Sequence, residues 1–241
     1  ALKSRTLLYA ASLLHDPSTS PSGPLYDYTA SNKWQAASDA AKAVLDMTQY
    51  SLVEVDDYQD YINIFLGNNS EIILAKAHNP EFYHGASENP DRLYRPAGFG
   101  AGWTTIQPTQ NFVDDFQMED GLSIDESPLY SADVDGMYAN RELRFYANIF
   151  YNGAPFDPPL TSPRAGEVQY FLPGGLDGID GSQSWNATLT GYNQRKYTDE
   201  TFDESLGFRS TTPYHYFRLA EFYLNYAEAQ FMLGNEDVAT E

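Results

Sequence analysis

The chain has 241 residues, 42% of them hydrophobic and 20% charged, a composition that builds a folded domain with a sizeable core and excludes a disordered segment. Thirty-four acids against fourteen bases leave a formal charge of −20, which argues against nucleic acid and anionic lipid surfaces, since both need a basic face. The absence of cysteine excludes disulfides, thiolate chemistry and cysteine-ligated zinc within the chain, and no run of about 18 apolar residues is present to span a bilayer.

The first element is alanine- and leucine-rich. ALKSRTLLYAASLL, residues 1–14, carries Leu7, Leu8, Ala11 and Leu14 as the apolar positions of a helix. A Pro/Ser/Gly loop, HDPSTSPSGPLYDYT, breaks it. SNKWQAASDAAKAVLDM then predicts a second helix, with Ser31 or Asn32 as cap and Trp34, Ala37, Ala41, Val44 and Leu45 on one face. NNSEIILAKA at 68–77 reads as a turn followed by a short strand. Between 80 and 215 helices are few. The clearest is PTQNFVDDF, with Pro108 in the first turn, Thr109 or its neighbour as cap and Phe112, Val113 and Phe116 on one apolar face. RFYANIFYNG alternates as a strand does, with Phe145, Ala147, Ile149 and Tyr151 on one side, and Asn152-Gly153 predicts a hairpin turn.

The last stretch, RLAEFYLNYAEAQFMLGNEDVATE, predicts a helix with Ala220, Tyr223, Leu224, Ala227 and Phe231 inward and Glu221, Asn225 and Glu228 mostly outward. Gly234 ends it, and Asn235 or Asp237 opens another. Ala227, Gly234 and Ala239 have the spacing of a tetratricopeptide unit: a small residue at the helix crossing, a glycine at the turn and a small residue on the returning helix. One such hairpin buries too little to stand alone, so it belongs to a larger frame.

Several stretches, taken in order, resemble the SusD-like (SusD/RagB) nutrient-binding lipoproteins of the Gram-negative outer membrane. They are ALKSRTLLYAASLL, WQAASDAAKAVLD, NNSEIILAKAHN, GFGAGWTTIQPTQNFVDDFQMEDG, YANRELRFYANIFYNG, GYNQRKYTDE and YFRLAEFYLNYAEAQFMLGN. The resemblance implies a mainly α fold: a tetratricopeptide-like helical hairpin scaffold, a loop-rich region and a small antiparallel sheet. Residues 1–241 would form part of one SusD-like domain, with helical-repeat segments at 1–46 and 214–241 and the loop-rich region at 47–213. Family members are longer, so the chain reads as a central fragment whose lipid-bearing cysteine and first helices would lie before Ala1. The resemblance further implies a cell-surface location in the outer membrane, contact with the membrane only through that lipid anchor, and a SusC-like TonB-dependent transporter as partner.

Aromatic residues make up 15% of the chain, and many fall in the irregular middle, among them Phe82, Tyr83, Tyr94, Phe99, Trp103, Tyr170, Phe171 and Trp185. A pyranose ring offers a C–H face that packs on a flat aromatic ring and a hydroxyl rim that needs fixed polar partners. Covering ~60 Å² of that face is worth about 1.5 kcal/mol. Micromolar binding requires about 8 kcal/mol, so several rings and hydrogen bonds must act together, which favours oligosaccharides. The candidate ligand residues are Trp103, Tyr83, Tyr94 and Trp185, with Asn89, Asp91 and Arg92 as polar partners. Arg141, Arg144, Glu221 and Glu228 read as structural, ion-paired or stacked.

Nothing in the sequence announces an enzyme. The histidines 15, 78, 84 and 215 lack metal-site spacing, and there is no G-x-S-x-G, P-loop or dinucleotide fingerprint. DVDG at 133–136 and DGIDG at 177–181 do not fit the EF-hand spacing. No catalytic residue, cofactor or metal is expected. The expected function is oligosaccharide capture for import. The alternatives are peptide capture by the same machinery and a tetratricopeptide-type scaffold for protein contacts.

Overall fold

The computed structural model describes every residue except 17–31, 86–87, 98–101, 134–135, 157–163, 165, 182–183, 204–208 and 241. Most of the Pro/Ser/Gly loop, the Ser31 cap, Phe99 and the middle of the DVDG segment lie outside the described residues. In chain order the elements are α1 (Leu2–Ala11), α2 (Lys33–Leu45), α3 (Tyr58–Leu66), β1 (Ile72–Lys76), α4 (Pro90–Leu93), α5 (Gln110–Asp114), α6 (Leu143–Asn148), β2 (Ile149–Phe150), β3 (Asn193–Gln194), β4 (Tyr214–Arg218), α7 (Leu219–Met232) and α8 (Glu236–Thr240). They fall into two compact units, residues 1–53, 69–76 and 215–241 in one and residues 54–68 and 77–214 in the other. The expected architecture holds: a helical frame, a loop-rich part and a small antiparallel sheet.

The first unit is built by alanines. Leu8 and Ala11 of α1, Ala37 of α2 and Ala229 of α7 form one buried cluster, flanked by Leu7 and Trp34. Alanine favours the helix and lets neighbouring helices approach closely. Val44, Phe217, Leu219 and Phe222 form a second cluster. Polar side chains tie the same helices together. Gln230 Nε2 donates to Ser38 Oγ at 2.8 Å, and Arg5 Nη2 meets Glu221 at 2.6 Å, while its guanidinium lies 4.1 Å from the Phe217 ring centre. β1 pairs with β4, and Glu71, just before β1, accepts from the Arg218 guanidinium and from Val53 N–H.

The inward face of α7 differs from the sequence expectation. Leu219, Phe222, Asn225, Ala229 and Gln230 are buried. Tyr223, Leu224 and Phe231 are exposed, Leu224 by 72% and Phe231 by 59%. The helix is apolar on both sides, so its pattern does not single out one face. What decides is that Asn225 and Gln230 find Ser4 and Ser38 as partners. Ala229, not Ala227, is the small residue at the crossing. The end of α7 is as expected. Gly234 takes φ 82°, Gly234 N–H reaches Phe231 O and Asn235 N–H reaches Gln230 O, which closes the terminal carbonyls in a Schellman motif. Glu228 is exposed.

The second unit has short elements with well-made starts. Asp57 caps α3, accepting from Gln59 and Asp60 N–H; Asn89 caps α4, with Pro90 at its first position; Thr109 caps α5. Pro108 precedes that cap and is not in the helical turn. Residues 144–148, expected as strand, lie in α6, and only Ile149–Phe150 are extended. Over six residues the two periods are hard to separate: Phe145 and Ile149 stand four apart as well as on alternate positions, and Phe145, Ala147 and Ile149 are buried either way. β2 pairs antiparallel with β3, Ile149 opposite Gln194 and Phe150 opposite Asn193.

Asn152-Gly153 does form a turn, with Gly153 at φ 89° and Ala154 N–H bonded to Tyr151 O at 2.9 Å. It does not make the expected hairpin. Asn152 Oδ1 accepts from Phe171 and Leu172 N–H, and the chain after the turn bridges Pro155 to Val168. The core is aromatic: Phe145, Ile149, Val113 and Tyr192 within a ring of Phe116, Tyr138, Tyr146 and Tyr151, and Phe150, Ala154, Phe156 and Phe171 beside one another.

Arginines supply what regular ladders do not. Arg141 donates to Val113 O at 2.7 Å and Phe116 O at 2.8 Å, closing the end of α5, and stacks on Phe145. Arg195 pairs with Glu200 at 2.7 Å and donates to Tyr146 O. Arg144 pairs with Glu142. Arg164 donates to both oxygens of buried Asp177, and Asp177 Oδ2 also accepts from Tyr170 N–H, so the DGIDG segment serves as a loop staple.

Candidate functional site

The sequence candidates of the second unit gather around α4. Asn89 is buried and accepts from Asp91 N–H at 2.9 Å and Arg92 N–H at 3.3 Å. Asp91 is buried and accepts from Asp199 N–H at 2.6 Å; burial pushes its carboxyl up to about 6, against hydrogen bonds that hold it down. Arg95, also buried, donates to Asp199 O and Phe202 O, both at 3.0 Å. Asn89 caps the short helix, and Asp91 and Arg95 tie it to residues 199–202. Arg92 lies with its guanidinium 4.2 Å from the Trp103 ring centre, a cation–π arrangement that restrains the half-buried indole.

The backbone of residues 102–107 is tied to the same helix. Trp103 N–H donates to Arg92 O at 2.8 Å, and Thr105 N–H donates to Leu93 O at 2.9 Å. Gly102 sits so close to Arg95 O and Pro96 O that an added Cβ would lie 2.3 and 2.5 Å from them; only glycine permits this approach. Thr104, at φ 51°, takes a backbone conformation uncommon for its type. Asn186 Nδ2 then donates to Gly102 O at 2.5 Å, which brings the segment bearing Trp185 beside the one bearing Trp103. The Trp185 side chain is 72% exposed.

Tyr94 and Tyr83 have other neighbours. Tyr94 is half-buried, and burial, followed by the nearby Tyr214 phenol, raises its own phenol. Tyr214 stacks on Tyr197 at 6.1 Å. Tyr83 carries the Arg209 guanidinium 5.1 Å from its ring centre, beside a strongly exposed Phe82. His84 pins this loop, its backbone N–H donating to Ser210 O at 3.0 Å and its Nε2 bonding Thr212 O at 2.8 Å.

Sequence reasoning missed a cleft of about 450 Å³ in the same unit. Ile106, Pro108, Phe112, Phe116 and Ile149 give it an apolar floor, and Gln107, Asn148, Gln194, Lys196 and Tyr197 give it a polar edge. Phe112, read from sequence as an inward residue of α5, is 52% exposed. Tyr197 holds φ 67°, a genuine outlier for a bulky side chain. The available signal was the four-residue spacing of Phe112 and Phe116, whose rings meet edge to face at 5.4 Å. Among the described residues, no cluster of three or more His, Asp or Glu side chains is arranged to hold a metal ion.

The SusD family model matches residues 70–241, and the chain belongs to that family. No curated protein is significantly similar in sequence. Among solved structures, a SusD-like protein from Bacteroides fragilis is 24% identical with a TM-score of 0.72, over 99% of this chain and 43% of its own. A SusD-like carbohydrate-binding protein from Bacteroides fragilis is 18% identical with a TM-score of 0.63, over 84% of this chain and 37% of its own. A SusD superfamily protein from Bacteroides vulgatus is 21% identical with a TM-score of 0.52, over 86% of this chain and 37% of its own. The chain thus spans less than half the length of each.

Proposed function

We propose that the chain binds oligosaccharides through aromatic rings of its loop-rich unit, Trp185 and Tyr83 exposed and Trp103 and Tyr94 half-buried, and breaks no bond in them. The observation that carries this reading is the Arg92–Trp103 stack, joined through Asn186 and Gly102 to the segment that presents Trp185. Flat rings held in place by a buried polar base are what the C–H face of a sugar needs, because little side-chain freedom is left to lose on binding. Tyr83 and Tyr94 extend the aromatic surface, while Asn89 and Asp91 act as its foundation. The charge of −20 suits a neutral ligand. SusD family membership and the carbohydrate-binding relative from Bacteroides fragilis support the same reading.

In the whole protein this capture would serve import. By family kinship the partner is a SusC-like TonB-dependent transporter, and the setting is the outer cell surface with a lipid anchor. A glycan array run beside a peptide library tests the ligand class. Glycan binding that falls in Trp185→Ala is the expected result; peptide binding without glycan binding overturns it, and release of new reducing ends overturns the absence of catalysis.

A further inference from the structure

We infer that the Trp103–Trp185 platform and the cleft beside Phe112 are the two ends of one extended site, which selects neutral oligosaccharides long enough to reach both. The inference rests on the glycan-binding reading and adds to it where the ligand runs and what length it must have.

Two hydrogen bonds carry the connection. Asn186 Nδ2 donates to Gly102 O, and Leu189 N–H donates to Gln107 Oε1 at 2.8 Å. Residues 186–189 therefore run beside residues 102–107 in the same direction, as a ledge. Trp103 and Trp185 stand at its first end. Ile106 and Gln107 stand at its second end, where they line the cleft. Gln194 N–H donates to Ile106 O at 3.3 Å, which joins the ledge to the far wall. Trp103 and Gln107 are four residue steps apart, which sets an upper limit of about 14 Å between their Cα atoms; with the side chains at each end the span is that of roughly three pyranose units.

The cleft has the chemistry of a sugar subsite. Its volume of about 450 Å³ falls in the range of small-molecule sites. The exposed Phe112 ring and Ile106 offer an apolar surface for a C–H face, and Gln194 and Tyr197 offer polar groups for hydroxyls. Among the described residues no carboxylate lines it, although the chain carries 34 of them, and the charged group at its edge, Lys196, has its Nζ 4.2 Å from the Phe65 ring centre. A ligand held at the platform meets the cleft as an intramolecular partner, at an effective concentration far above that of free ligand. Affinity should therefore climb with length until the cleft is reached, then level off.

The test is calorimetric titration of the chain with cello-, malto- and xylo-oligosaccharides, each from disaccharide to hexasaccharide. For a ladder that binds, the wild-type tetrasaccharide should bind at least about tenfold more tightly than the disaccharide. Phe112→Ala should bring that ratio close to unity, and Ile106→Ser should do the same if the first variant fails to fold. Trp185→Ala should weaken every length. An unchanged length ratio in both cleft variants overturns the extended site and leaves the platform reading intact. Wild-type chain that binds no member of any ladder overturns the glycan reading and the extended site together.

Discussion

The two units hold themselves together by different means. In the helical unit, alanines on α1, α2 and α7 meet in a close-packed cluster, and regular helices satisfy their own backbones. In the loop-rich unit, elements of two to nine residues leave many carbonyls open, and buried arginines close them: Arg141 at the end of α5, Arg195 at Tyr146 O and Arg95 at Asp199 O and Phe202 O. The lesson is that irregular chain can be as fixed as helix when each turn has a side chain assigned to it. A frame of this kind leaves rings free for the surface, and Trp185 and Phe112 are exposed in the second unit without being loose ends of its core.

The largest test of this difference is Arg195→Met. It removes the 2.7 Å ion pair from Glu200, whose side chain is only 6% exposed, and the expected loss is about 3–5 kcal/mol in a denaturant titration. Phe222→Ala should cost a similar ~3–5 kcal/mol, through a cavity in the helical unit and not through charge. If Arg195→Met proves mild, the arginine frame is not what holds the loops.

Asp91 gives a pH test of the same frame. Its folded pKa of about 6 lies above the ordinary 3.8, because burial disfavours the charged form. A raised carboxyl pKa means the folded state binds the proton more tightly, so stability is greatest below about pH 4 and falls as pH rises to about 6, by on the order of 3 kcal/mol for this group. Asp91→Asn should remove that fall, read as the difference between mutant and wild type across a pH series of unfolding curves. A parallel pH dependence in the two proteins would contradict the assignment. The smallest effect belongs to Leu224→Ala on the exposed side of α7, which should shift stability by less than about 0.5 kcal/mol. A loss near that of Phe222→Ala would restore the inward face that the sequence pattern favours.

Much of the fold can be read from the chain. Thr109 caps its helix as predicted, the strand at 72–76 forms, and Gly234 ends α7 with the left-handed turn expected of it. What escaped reading was direction. The face of α7 was misassigned because the buried side includes Asn225 and Gln230, whose partners Ser4 and Ser38 are some two hundred positions away in sequence. Residues 144–148 are too few for a helical period to separate from the alternation of a strand. At the candidate site, Arg92 and Trp103 were both named from sequence but not as a pair, and the bonds from Asn186 to Gly102 and from Leu189 to Gln107 link segments about eighty residues apart. The cleft arises from that long-range pairing, and no local pattern predicts it.

The most direct measurement is the affinity of Trp185→Ala for an oligosaccharide bound by the wild-type chain, taken with its unfolding midpoint. A ring exposed by 72% contributes little to the fold, so the midpoint should stay in place while affinity drops about tenfold, the worth of roughly 1.4 kcal/mol of lost stacking. Unchanged affinity with unchanged stability would contradict the claim that the exposed rings of the loop-rich unit do the gripping.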